Sequence, residues 1–131
     1  PPPKVSPVEE KRIGDFVLLA NRQGLLSACH DLSDGGLMIA LAEMAMAGNK
    51  GVQIEIENND AGFWFGEDQA RYLVTTGEPD ELLKAAASDN IQAEIIGQTK
   101  GNAIIFPDET GIRLDELSAL HEEWFMNYFS N

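Results

Sequence analysis

Apolar and polar residues alternate most cleanly in "GVQIEIE", residues 51–57. Val52, Ile54 and Ile56 fall on one side and Gln53, Glu55 and Glu57 on the other. Successive side chains of a strand point to opposite faces, so this segment predicts a half-buried strand. Between Gly36 and Gly48 the period changes. Leu37, Ala40, Leu41, Met44 and Ala45 recur at helical spacing and predict a helix with one apolar face, closed by Gly48. Further upstream, Ser6-Pro7-Val8-Glu9 reads as a helix start. Ser6 can cap, Pro7 suits the first helical position, and Glu9 stands where a capping-box acid belongs. Val8, Ile13, Phe16, Val17, Leu19 and Ala20 then share a face, and Gly24 is the expected stop. "LLSACHD" is short, apolar and flanked by Gly24 and an Asp/Gly cluster, which predicts a buried strand.

Past residue 57 the signals are shorter. "NNDAGFWFGEDQ" reads as a loop or short helix, "ARYLVTT" as a strand, and "EPDELLKAAASDN" as a helix with Pro79 near its start and acids in its first turn. "IQAEIIGQTK" and "NAIIFP" read as two strands, with Gly101-Asn102 as hairpin punctuation between them. "GIRLD" adds a short strand, and Asp115 caps a last helix whose Leu117, Leu120, Trp124 and Tyr128 share one face. The order mixes a βα crossover with hairpin-like neighbours. It therefore predicts an α+β fold with a mixed sheet of four to six strands and helices packed on it, rather than a doubly wound parallel sheet.

Composition narrows the function classes. The 131 residues suit one core, and the expected division is a linker over residues 1–6 and one domain over residues 7–131. "PPPKVSP" favours an extended backbone, and a chain that opens on a linker without Met reads as part of a longer multidomain protein. No apolar run is long enough for a membrane span, and no signal peptide is visible. Nine Lys and Arg stand against 22 Asp and Glu, a net charge of −13 that argues against nucleic acid and anionic membranes as partners. The lone Cys29 excludes an internal disulfide and suits a cytoplasmic setting; it is expected to be buried and inert. With only His30 and His121 beside it, no four-ligand structural zinc site can form.

The candidate chemistry lies where the predicted strand hands over to the helix. His30, Asp31, Ser33, Asp34, Gly35 and Gly36 form a turn of the kind that binds anions. The first N–H groups of a helix lack internal partners, and glycines let a ligand approach the backbone. The same pattern also serves as a plain structural cap. No Lys or Arg occurs from Gln23 to Asn49. A phosphate here would need cations from elsewhere or a divalent metal such as Mg²⁺ held by Asp31 and Asp34. Glu67, Asp68 and Gln69 form a second polar candidate, and Phe63, Trp64 and Phe65 an aromatic group suited to packing.

"HDLSDGGLMIALAEMAMAG", then "FGEDQARYLV" and the terminal "LHEEWFMNYF", resemble the C-terminal end of the phosphoribosylformylglycinamidine synthase family, in its bacterial small form. The resemblance runs from about residue 11 to the end. It implies an α+β domain similar to the C-terminal domain of aminoimidazole ribonucleotide synthetase, in a longer ATP- and Mg²⁺-dependent carbon–nitrogen ligase of purine biosynthesis. It implies as partners the remaining domains of the same polypeptide, a glutaminase subunit and a small bridging subunit. It assigns no catalytic residue to this segment, which is expected to be inactive alone and able to self-associate once freed. In this resemblance Glu67-Asp68-Gln69 stands where a first-half domain carries a substrate-binding Glu-Ser-Gln, and Asp68 in place of Ser marks a degenerate second-half site.

Overall fold

Helix α1 (Pro7–Arg22) begins as its sequence dictates: Ser6 is extended, its Oγ accepts from the Glu9 N–H at 3.4 Å, and Pro7 takes the first turn. The Glu9 carboxylate turns forward and pairs with Arg12 at 2.7 Å instead of completing a capping box. At the other end Gly24 adopts φ +75°, and the Gly24 and Leu25 N–H groups reach Asn21 O and Ala20 O. This pair of bonds satisfies carbonyls the helix itself leaves open. The structure, a computed structural model, describes residues 5–129, with the backbone alone for Trp124, Phe125 and Phe129. The expected linker therefore falls mostly outside the described residues, as does the Trp124 side chain.

Two compact units divide the chain at Leu41/Ala42, within helix α2 (Gly36–Gly48). One comprises the residues up to Leu41 together with Asp60–Ile95; the other comprises Ala42–Asn59 with the residues from Ile96 onward.

In the first unit, β1 (Ala28–Asp31) pairs antiparallel with β3 (Tyr72–Thr75), Cys29 opposite Val74 and His30 opposite Leu73. Helices α3 (Ala61–Phe65) and α4 (Pro79–Ser88) complete the unit. Its apolar centre contains Ala20, Leu32, Leu37, Ala40, Trp64, Leu73, Leu82 and Ala86. The buried strand expected for "LLSACHD" is a correction: β1 is four residues long, and Ala28, Cys29 and Asp31 are exposed. An apolar run is buried only where layers cover both faces, and this ladder has two strands. Cys29 is accordingly exposed, not buried.

In the second unit a four-stranded mixed sheet runs β4 (Gly97–Thr99), β2 (Val52–Ile54), β5 (Ala103–Ile105), β6 (Gly111–Arg113). β2 pairs antiparallel with β4 and parallel with β5, and β6 lies antiparallel on β5. Helix α5 (Leu114–Phe129) follows β6 directly. Ile54 and Ile104 are each 1% exposed. Burying two such side chains contributes about 1.5–3 kcal/mol each. The expected Gly101 hairpin does not form, because β2 lies between β4 and β5. Gly101 has φ +66°, but its turn wraps the start of β2: the Gly51 N–H donates to Gly101 O and the Lys100 N–H donates to Gly51 O. The residue in left-handed conformation at the end of α2 is Asn49 (φ +47°), not Gly48. The architecture is α+β with a four-stranded mixed sheet and helices.

Candidate functional site

β1 ends at Asp31 and α2 begins at Gly36, so the candidate turn spans Leu32–Gly35. The Leu32 N–H still donates to Arg71 O at 2.9 Å, which keeps the turn registered on β3, and the Leu32 side chain is buried. Ser33 and Asp34 are exposed. Gly35 and Gly36 both take positive φ, +83° and +66°. For any other residue two consecutive left-handed positions cost about 1–2 kcal/mol each, which is the physical reason for the glycine pair.

The N–H groups of both glycines are engaged within the chain. The Gly35 N–H donates to Glu67 Oε1 at 3.0 Å. The Gly36 N–H donates to Ser33 O at 3.0 Å. A Cβ on Gly36 would lie 2.7 Å from the Phe65 carbonyl carbon and 2.8 Å from Gly66 O, so the C-terminal end of α3 rests directly on that glycine. The structure thus joins the two sequence candidates through Gly35 and Glu67, although 32 residues separate them. Asp68 and Gln69 remain exposed.

Local chemistry explains why the Glu67 segment stands where it does. Asp60 caps α3, its Oδ1 accepting from the Gly62 N–H at 3.0 Å. Arg71 closes the other end: Nη2 donates to Phe63 O at 3.0 Å, Nη1 to Gly66 O at 3.4 Å, and the guanidinium lies 5.5 Å from the Phe63 ring centroid. A cation at a helix C-terminus complements the partial negative charge there. Between these anchors Ala70 is held at φ +62°, a strained position for a residue with a Cβ. Trp64 is buried and meets Phe63 edge to face at 5.0 Å, while Phe65 is exposed. The anchoring role of Arg71 and the Gly35–Glu67 bond are the features sequence reading missed. Only the cation beside an aromatic-rich helix end hinted at the first, and no linear spacing signals the second.

His30 is half-buried, and its Nδ1 lies 2.5 Å from the Asp31 backbone oxygen. A carbonyl oxygen only accepts, so Nδ1 carries the proton in that contact. Partial burial, and secondarily the charge of Asp31, push the Cys29 thiol pKa up. The Tyr72 hydroxyl is also pushed up, by burial first and then by Glu10 and Asp31. These directions oppose nucleophile activation, which requires a depressed thiol pKa. Among the described residues no group of three or more His, Cys, Asp or Glu side chains could hold a metal ion. Asp31 and Asp34 are exposed, and no third His, Cys, Asp or Glu joins them in such a group among the described residues.

Residues 2–107 match the family model for the AIR synthase related protein, C-terminal domain. The chain belongs to this family. Among curated relatives of this AIR synthase-related domain, the phosphoribosylformylglycinamidine synthase subunit PurL of Acidiphilium cryptum is 45% identical over 132 residues, covering 98% of this chain and 18% of that protein. The same subunit of Methylocella silvestris is 47% identical over 133 residues, again covering 98% of this chain and 18% of that protein. The chain thus spans 18% of the length of these relatives. The fold recurs in Thermotoga maritima PurL complexed with FGAR (TM-score 0.70, 18% identity, 86% of this chain, 21% of that chain). It recurs in the same protein complexed with ADP (TM-score 0.71, 19% identity, 87% and 22%). It is also found in PurLQS from that organism (TM-score 0.67, 18% identity, 87% and 22%). The family membership bears out the resemblance carried by "HDLSDGGL", and the α+β assignment with it.

Proposed function

We propose that this chain is the C-terminal α+β domain, over residues 7–131, of an ATP-dependent phosphoribosylformylglycinamidine synthase. The observation that carries the reading is the 45–47% identity to such subunits across 98% of the chain. The reaction converts formylglycinamide ribonucleotide, ATP and glutamine-derived ammonia to the amidine. ATP phosphorylates the amide oxygen and ammonia displaces phosphate from the activated carbon. The fold shared with T. maritima PurL in its FGAR and ADP complexes supports this substrate class. Mg²⁺ would serve the nucleotide on the other domains of the polypeptide. A glutaminase subunit and a small bridging subunit are the proposed partners, supported by the likeness to PurLQS. A cytoplasmic setting accords with this chemistry; among the described residues no helix is long and apolar enough to cross a membrane. The domain itself carries no catalytic residue in this reading and does not turn over ATP alone.

A chimera tests the reading. The matching segment of the A. cryptum subunit is replaced by this chain, and amidine formation is followed with ATP and ammonia. Activity within about tenfold of the parent is expected, since the substituted segment conserves the fold while reacting groups lie elsewhere. A folded chimera with no activity would overturn it.

A second reading, a domain that binds no ligand and acts through packing, is favoured by one observation: the Gly35 and Gly36 N–H groups are both engaged within the chain.

A further inference from the structure

We propose that Glu67 is the built-in anion of the Gly35-Gly36 turn: its carboxylate takes the place an incoming phosphate would occupy, and the turn is closed to free anions.

Three observations carry this, and none depends on the reaction proposed above. The N–H of Gly35, which is held at φ +83°, donates to Glu67 Oε1 at 3.0 Å. The neighbouring Gly36 N–H is taken by Ser33 O at 3.0 Å. The space over the Gly36 α-carbon is filled by the Phe65–Gly66 backbone, within 2.7–2.9 Å of where a Cβ would sit. A phosphate would therefore have to displace a carboxylate and push back a peptide unit. The surroundings oppose it as well: Asp31 and Asp34 flank the turn, and the sequence holds no Lys or Arg from Gln23 to Asn49. An N–H donating to a carboxylate forms one of the stronger hydrogen bonds, so the internal ligand is a competent substitute for an external one.

The closure also does positional work. Arg71 fixes Phe63 O and Gly66 O from one side, and Gly35 holds Glu67 from the other. The Gly66–Gln69 segment is thereby tied to the start of α2. Glu67 acts as a positioning residue, and its contact is spent inside the chain.

The test uses the full chain, labelled with ¹⁵N, with inorganic phosphate as the probe. In the wild type no saturable phosphate-dependent shift is expected at the Gly35 or Gly36 amides. In Glu67→Ala the Gly35 amide should exchange about tenfold faster or more, as follows from losing a hydrogen bond to a charged acceptor. Glu67→Gln, which keeps an acceptor oxygen, should fall between the two. Unchanged amide shifts in Val52–Ile54 and Ala103–Ile105 verify that each variant is folded. A saturable phosphate shift at Gly35 and Gly36 in the wild type would overturn the proposal. So would an unchanged Gly35 exchange rate in a folded Glu67→Ala.

Discussion

Two glycines, Gly36 and Gly51, have neighbours pressed against the space where a Cβ would be, yet they are closed by different means. Gly51, in the second unit, sits at the head of β2. A Cβ there would lie 2.5 Å from Ala103 O and Lys100 O, and its backbone exchanges hydrogen bonds with Gly101 and Lys100. Its closure is backbone on backbone, beside a sheet that contains the fully buried Ile54 and Ile104. Gly36, in the first unit, is closed by the end of a five-residue helix, and Gly35 beside it by an exposed carboxylate. The first arrangement is a sheet-packing contact. The second is a polar lock beside a two-stranded ladder, and it joins the two candidate segments through Gly35 and Glu67. The proximity of glycine to a neighbouring group is therefore no guide to ligand binding; what fills the space decides.

The contrast can be broken at its strongest point first. Ile104→Ala removes a side chain that is 1% exposed in the mixed sheet. A loss of about 3 kcal/mol is expected in chemical denaturation, from lost transfer energy plus the cavity. A loss below about 1 kcal/mol would mean that the sheet does not carry the second unit's stability. Gly36→Ala should cost somewhat less, about 2 kcal/mol, from the positive φ and from the displacement of Phe65–Gly66. Amide shifts should move at Phe63–Gln69 and stay put in β2 and β5. Shifts confined to Gly36 itself would show that α3 does not rest on it.

The smallest effect expected is at Cys29. Cys29→Ser should change stability by no more than about 0.5 kcal/mol, because the residue is exposed. The pH dependence of its alkylation sharpens the point. Burial and Asp31 raise the folded thiol's pKa, so the folded chain holds the proton more tightly than the unfolded chain. The linked stability is present below the unfolded thiol's pKa and is lost as pH rises through the folded value. The alkylation midpoint should thus lie above that of the denatured chain. A midpoint below it would mark an activated thiol and reopen the turn as a reactive site.

The sequence carried local features best. Ser6-Pro7, Gly24 and the Leu37/Ala40/Leu41/Met44/Ala45 stripe, in which Met44 alone is half-buried, behave largely as read, because caps and helix faces are set within a few residues. What failed was non-local. Gly101 looked like a hairpin turn because β4 and β5 are neighbours in sequence, but β2 enters between them. Cys29 looked buried because an apolar run says nothing about how many layers will cover it. The turn itself was visible from Gly35-Gly36, and its lack of cations was visible too. Its occupant was not, since Glu67 lies 32 residues away along the chain and meets Gly35 only in the folded structure.

Native-state hydrogen exchange at the Gly35 amide of the wild-type chain, with and without inorganic phosphate, tests the closed turn most directly. The account expects a protected amide whose rate does not respond to phosphate. Exchange at the rate of an unstructured peptide, slowed only when phosphate is added, would contradict it.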